Sequence, residues 1–359
     1  MIWLCWILVG GLNPALSSIT LDQSPQNSIL AQCRTVSLGP QVESTLAINT
    51  IWRGYFQWFS KEEVMLWQPQ ARNNVKAQIW SLRTGTLRPF VALNKLFALE
   101  RRKTHGYPTE VCLLSPDHKW VLLRVGINSK VAGIPKFYFW AAKLDGTHTI
   151  RYPMKENING RTEHADYCAT WRTDSSGWAE FWFDPTDGGM AIPGKAISHR
   201  LGSKPVKRER AVSLIGEKGW TRVVEFDKHD RFVAYGEGIH DPKTETVAKL
   251  AVVPLTRLRK PGIRSIRLPV HAAQWIVRSS PHGSLYLWTI MESAPHNRER
   301  FVLSLWTSDS EGRKFRRIGS EPTHFSYRLW DEFREIEFSP DEKRICFVHN
   351  RNIYVMTIA

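Results

Sequence analysis

The chain has 359 residues, 42% apolar and 23% charged. That composition excludes a disordered chain, and the length exceeds one average domain but falls well short of three. Against 34 Asp and Glu stand 49 Lys and Arg, a formal net charge of +15, which favours anionic counterparts such as acidic glycans, nucleic acid or envelope lipids over cationic ones.

Residues Met1 to Leu12 form an uncharged apolar run, broken by Asn13-Pro14 and followed by Ala15-Leu16-Ser17. A short hydrophobic core before a small-x-small site predicts a signal peptide over residues 1–17, although the first charge is Asp22 and no basic stretch precedes the core. The run is too short for a comfortable bilayer span, so no membrane span is expected after its removal. Neither Cys5 nor Cys33 has the context of a lipidated cysteine. Cys33, Cys112, Cys168 and Cys346 include no C-x-x-C pair, and each lies among apolar neighbours. Free buried thiols are therefore expected.

Beyond this segment a repeat emerges. Leu114-Ser115-Pro116-Asp117-His118-Lys119-Trp120-Val121-Leu122-Leu123 matches Phe338-Ser339-Pro340-Asp341-Glu342-Lys343-Arg344-Ile345-Cys346-Phe347. Weaker copies bring the anchors to Ser60, Ser115, Arg172, Asp227, Ser280 and Ser339, at intervals of 55, 57, 55, 53 and 59 residues. Pro presets the first central position of a turn, and Ser or Asp bonds back to turn amides, so the motif predicts a hairpin between two strands. The strands Val111 to Leu114 and Val121 to Leu123 are apolar at every position, so both of their faces must be covered. A third strand follows in several copies, as at Ile79 to Leu82, Phe137 to Trp140 and Ile353 to Met356. A more polar fourth closes the unit, as at Leu87 to Val91 and Thr149 to Tyr152.

Such units need a neighbour on each side. The pattern predicts an all-β fold, a six-bladed β-propeller of four-stranded blades over residues 45–359. Rows of Trp and Phe between blades account for the 16 Trp and 16 Phe. The chain stops directly after the third strand of the last unit. A strand from residues 18–44, near Ile29 to Leu38, is expected to complete that last blade. The basic knots at Arg101-Arg102-Lys103, Lys204 to Arg210, Arg257 to Lys260 and Arg313 to Arg317 read as loops or outer edges.

Ser-Pro-Asp-x-Lys, an apolar strand and then Ile353-Tyr354-Val355-Met356 resemble the WD40-like repeat of TolB-type propellers. The propeller of the prolyl oligopeptidase family is a more distant likeness. The resemblance covers roughly residues 45 to 359 and is specific in the second and sixth units. Elsewhere Lys61, Thr173 and Lys228 replace Pro, and His282 replaces Asp. It implies a lone propeller without the N-terminal α/β domain that TolB carries.

Catalytic signatures are missing: no G-x-S-x-G, no H-E-x-x-H, no P-loop and no G-x-G-x-x-G. The loops leading into the first strands are the remaining candidates for a site at the channel mouth. They hold His105 and Tyr107, then His164 and Asp166, then His324, Trp330 and Asp331. These are expected to be binding residues, with no cofactor and no resident metal. The expectation is a monomeric, exported, non-catalytic scaffold that is periplasmic or secreted and binds a protein or an anionic polymer. Nucleic acid is disfavoured by export. The alternative is a carbohydrate-active hydrolase or lyase at the channel mouth, by fold analogy.

Overall fold

A computed structural model of the chain describes residues 28–37, 56–70, 74–104, 107–127, 136–153, 167–187, 190–202, 206–208, 220–226, 231–237, 247–254, 262–294, 297–324, 334–349 and 352–358. The expected signal peptide and the turn at Asp227 lie outside them. A 3-10 turn over Leu30–Gln32 leads into β1 (Arg34–Ser37). The first sheet then follows as β2 (Phe56–Ser60), β3 (Glu63–Gln70), β4 (Asn74–Ser81) and β5 (Leu87–Pro89), and α1 (Val91–Thr104) comes after it. The second sheet is β6 (Tyr107–Leu114), β7 (Trp120–Ile127), β8 (Lys136–Lys143) and β9 (Thr149–Pro153). The third is β10 (Tyr167–Trp171), β11 (Gly177–Asp187), β12 (Met190–Arg200) and β13 (Val206–Arg208). The fourth is β14 (Trp220–Phe226), β15 (Arg231–Glu237), β16 (Val247–Pro254) and β17 (Gly262–Arg267). The fifth is β18 (Ala272–Ser279), β19 (Leu285–Ala294), β20 (Asn297–Asp309) and β21 (Arg316–His324), and the last is β22 (Arg334–Phe338), β23 (Arg344–His349) and β24 (Asn352–Thr357).

Among the described residues these strands make six four-stranded antiparallel sheets. Five follow chain order, and the sixth runs β1-β24-β23-β22. Its fourth strand therefore comes from the start of the chain, with Arg34 opposite Val355 and Val36 opposite Ile353.

The second strands β3, β7, β19 and β23 bury apolar side chains on both faces because the two faces meet different neighbours. Val64 and Leu66 join Cys346 and Val348 in one cluster, while Met65 and Trp67 join Val121 and Leu123 in another. Leu122 turns the other way, onto Trp171 and Trp178 of the third sheet. Leu287 packs with Ile345 and Phe347, whereas Trp288 and Ile290 pack with Leu250 and Ile266 of the fourth sheet. Strands β10 and β12 of the third sheet contact β14 of the fourth. Trp140, Trp178 and Trp288 are fully buried in these layers, and each such side chain contributes roughly 1.5–3 kcal/mol or more through burial. Between the fourth and fifth sheets, the β20–β21 hairpin rests on β17 at Gly312, which has a φ of 70°. A Cβ there would lie 2.5 Å from the Ile266 side chain, so only Gly fits.

Helix α1 departs from the expected pattern. The closing strand of the first unit was expected to reach Val91 but stops at Pro89, and Arg101-Arg102-Lys103 form a helical last turn rather than a loop. The segment carries apolar residues at helical spacing, with Phe90, Leu93, Leu96 and Phe97 buried. It is rich in Leu, Ala, Lys, Glu and Arg, with no Gly or Pro inside. Where β5 ends, the helix takes over the edge of β4. Ala77 N–H donates to Asn94 Oδ1 at 2.8 Å, and Asn94 Nδ2 donates back to the Ala77 carbonyl at 2.9 Å.

The first described segment clasps three sheets. Ser28 and the Leu30 amide donate to Glu321 on β21 at 2.5 and 2.9 Å. Ile29 is fully buried between the fifth and sixth sheets, and Arg34 donates to the Leu82 carbonyl of the first. The half-buried Cys33 thiol donates to the Ile29 carbonyl at 3.0 Å, and neither it nor the buried Cys346 forms a disulfide. Burial first, and Glu321 second, push the Cys33 thiol up to about 12.

Two outcomes test the clasp. Ile29→Ala is expected to cost about 2–5 kcal/mol, and deletion of residues 20–44 to abolish cooperative thermal unfolding; unchanged melting by circular dichroism would refute the role. Because the folded thiol titrates above its ordinary value of 9.0, its contribution is intact below that pH and is lost as pH rises towards about 12. The melting advantage of the wild type over Cys33→Ala should shrink across that interval.

Candidate functional site

Among the described residues, the first strands β2, β6, β10, β18 and β22 each run into a Ser-Pro-Asp-type turn, and the leading segments precede their opposite ends. Of the residues expected at the leading end, His105, His164, Asp166, Trp330 and Asp331 lie outside the described residues. Tyr107 and His324 lie within strands, and the strands run further into polar residues than the apolar pattern suggests. Tyr107 is the first residue of β6, paired with Gly126. His324 is not in the loop leading to β22: it ends β21, paired with Arg300, because the ladder with β20 continues to that point. The two therefore sit on different sheets, Tyr107 on a first strand and His324 on a fourth.

At the opposite end, the turns share one set of hydrogen bonds. In the second sheet the Ser115 amide donates to the Trp120 carbonyl at 2.9 Å, and the His118 amide to the Ser115 carbonyl at 2.8 Å. Ser115 Oγ donates to Asp117 at 2.5 Å and accepts from the Trp120 amide at 3.0 Å, while the Lys119 amide donates to Asp117 at 3.1 Å. His118 takes a φ of 55°. The sixth sheet repeats the set with Ser339, Asp341, Lys343 and Arg344, and Glu342 has a φ of 56°. Where Arg172 replaces Ser, Asp174 still accepts from the Ser176 amide and hydroxyl at 2.9 and 2.6 Å. Where His282 replaces Asp, Ser280 alone accepts from the Ser284 and Leu285 amides.

The unspecified fourth position of the motif carries a role that sequence reasoning missed. Its left-handed backbone turns the side chain towards the preceding turn. The Asp117 amide donates to Ser175 Oγ at 3.0 Å, and the His282 amide donates to Glu342 Oε1 at 2.8 Å. The contact thus joins the third position of one turn to the fourth position of the next. Ser284 also donates to Glu342, and Arg344 continues the series to the Lys61 carbonyl and to Glu62. The signal available in sequence was the polar residue at that position in the third and sixth units.

First strands are tied as well. Gln57 exchanges two hydrogen bonds with the Leu114 backbone at 2.7 and 3.0 Å. Trp171 Nε1 donates to the Leu113 carbonyl at 2.9 Å, and Trp58 Nε1 to that of Glu337 at 3.4 Å. His118 stacks on Phe59 at 4.9 Å. Burial holds its imidazole below the usual range against the opposing pull of Asp117, which keeps the stacked ring neutral at pH 7.

A second polar cluster fixes α1. Glu100 is 5% exposed. It accepts a two-pronged pair from Arg151 Nε and Nη2, both at 2.8 Å, and a hydrogen bond from Tyr138 at 2.6 Å. The Glu100 bonds hold the Arg151 guanidinium above its ordinary value.

The carboxylates at the turn end are thus engaged in holding the frame. Burial raises Asp117, Asp174 and Asp341, but hydroxyl and amide donors outweigh it and hold all three below the ordinary value of 3.8. Their stabilising contribution is complete above that value and disappears as pH falls through the lower folded values. Urea midpoints of the wild type should therefore fall on acidification below about pH 4. Asp117→Asn and Asp341→Asn variants, each weaker by about 1 kcal/mol at neutral pH, should respond less to acid; equal acid sensitivity would refute the assignment.

No protein-family model matches the chain, and no curated protein matches it. Among solved structures it is similar to a chain of the mitotic checkpoint complex, at 13% identity and a TM-score of 0.47, over 96% of this chain and 99% of that one. It is also similar to TolB from Acinetobacter baumannii, at 17% identity and a TM-score of 0.38, over 75% of this chain and 54% of that one. A third likeness is to hydrazine synthase of Kuenenia stuttgartiensis, at 9% identity and a TM-score of 0.41, over 83% and 74%. The chain spans about half the length of the TolB chain.

Proposed function

We propose that the six sheets close into a six-bladed β-propeller that works as a non-catalytic binding scaffold at the cell envelope or exterior. The observation that carries this reading is the junction of the chain's two ends. β1 pairs with β24, and one apolar cluster unites Phe56, Trp58, Val64 and Leu66 of the first sheet with Cys346, Val348, Ile353 and Val355 of the sixth. The other clusters and the β12–β14 contact link each remaining pair of sheets in sequence. A closed order of this kind leaves no first or last sheet uncovered.

A frame tied at the turn end leaves the leading-loop end for recognition. There the partner, a protein or an anionic polymer, meets His105, Tyr107, His164, Asp166, Trp330 and Asp331. His324 stands apart at the outer edge. The net charge of +15 supports an anionic counterpart, and residues 1–17 direct export.

The test measures retention of the chain on immobilised heparin across a salt gradient, with capture from envelope extract in parallel. Retention that falls steeply with salt supports a polyanionic partner. His164→Ala, Trp330→Ala and Asp331→Ala should each weaken capture of the bound partner by roughly tenfold at unchanged melting temperature. If all three leave every measured affinity unchanged, the mouth is not the binding site.

A further inference from the structure

We propose that the outward face of α1 is a docking surface for an anionic lipid bilayer, separate from whatever the leading loops bind. Among the described residues, the large apolar side chains that stay exposed are Leu87, Val91, Leu99 and Val247. Three of these four fall within the thirteen-residue stretch from Leu87 to Leu99. Val91 is 55% exposed and Leu99 46%. On the helix, Val91, Lys95, Ala98, Leu99 and Arg102 are all exposed and follow one another at three- and four-residue steps or side by side, so they share one face.

The charge on this face has one sign. Lys95, Arg101, Arg102 and Lys103 are exposed. The helix contains one acid, Glu100, which is buried and neutralised by Arg151. Interleaved cations and apolar side chains on a helix suit the boundary between anionic headgroups and acyl chains. A soluble polyanion would use the cations and leave Val91 and Leu99 without purpose. An acidic protein partner would have to cover them with apolar side chains of its own. The helix is also held in place: Phe97 packs edge-on against Trp67 at 4.6 Å, Asn94 pairs with the Ala77 backbone, and Glu100 is locked by Tyr138 and Arg151. The face is therefore presented without an ordering cost on binding.

The experiment is co-sedimentation of the full chain with vesicles of phosphatidylglycerol and phosphatidylcholine in equal parts, and with vesicles of phosphatidylcholine alone. The readout is the ratio of the two partition coefficients, from which the apolar residues 1–12, shared by every sample, cancel. The wild type should prefer the anionic vesicles in a salt-sensitive manner. An Arg101→Glu, Arg102→Glu, Lys103→Glu variant should lose about tenfold or more of that preference, and Lys95→Glu alone should lose part of it. Val91→Ser with Leu99→Ser should weaken vesicle binding several-fold and leave retention on heparin unchanged. All replaced side chains are exposed, so the serine variant should melt like the wild type, whereas acids in the last helical turn oppose the helix dipole and should lower melting only slightly. The proposal is overturned if the ratio is one, if the charge reversals do not lower it, or if the serine variant sediments with anionic vesicles like the wild type. His164→Ala and Asp331→Ala should leave the ratio intact, which keeps this outcome apart from failure of the loop site.

Discussion

The structure depends on strands that are apolar on both faces. Along β3, β7, β19 and β23 successive side chains point to opposite sides of the sheet, and each side is buried against a different neighbour. Val121 and Leu123 face the first sheet while Leu122 faces the third; Ile345 and Phe347 face the fifth while Cys346 and Val348 face the first. No single sheet of this chain can satisfy such strands, and neither can a two-layer sandwich, which covers one face of each sheet. Stability therefore belongs to the set of sheets, and the aromatic side chains between them act as filling that is shared by two sheets at once.

The segment carrying β1 ties three sheets together by noncovalent contacts: β1 extends the sixth sheet, Ile29 fills the space towards the fifth, and Arg34 reaches the first. The turns supply a second, polar tie. A residue with positive φ at the fourth position of one turn presents its side chain to the amide of the turn before it. A backbone feature usually associated with local geometry thereby links separate sheets. Donors within the turns and between them lower the turn carboxylates, so these acids favour the folded frame above the acid range.

This division of labour separates the two ends of the sheets. At the turn end, one oxygen each of Asp117, Asp174 and Asp341 and both oxygens of Glu342 accept from hydroxyls and amides of the turns. The leading loops have no such repeated chemistry in the sequence. Their His, Tyr, Trp and carboxylates differ from unit to unit. Among the described residues, helix α1 is an insertion between two sheets that breaks the regularity of the repeat.

The amino-acid sequence by itself determined the repeat length, the hairpin turns at the described Ser-Pro-Asp-type motifs, the four strands of a unit and the need for a strand from residues 29–38. All of these rest on short-range rules: Pro and Asp shape a turn within five residues, and an unbroken apolar run declares two buried faces. Its reading of Leu87 to Val91 as a complete strand was wrong. Pro89, Phe90 and Val91 suit a strand edge, and the helix that replaces it is chosen by burial of Leu93, Leu96 and Phe97 against Trp67 and Trp140, partners distant in the chain. Only the tertiary structure decided the tie between Glu342 and His282, the locking of Glu100 by Arg151, and the separation of His324 from Tyr107. Each depends on which sheet lies beside which and how far a ladder runs. That information resides in packing between segments tens of residues or more apart, and no local pattern of side chains carries it.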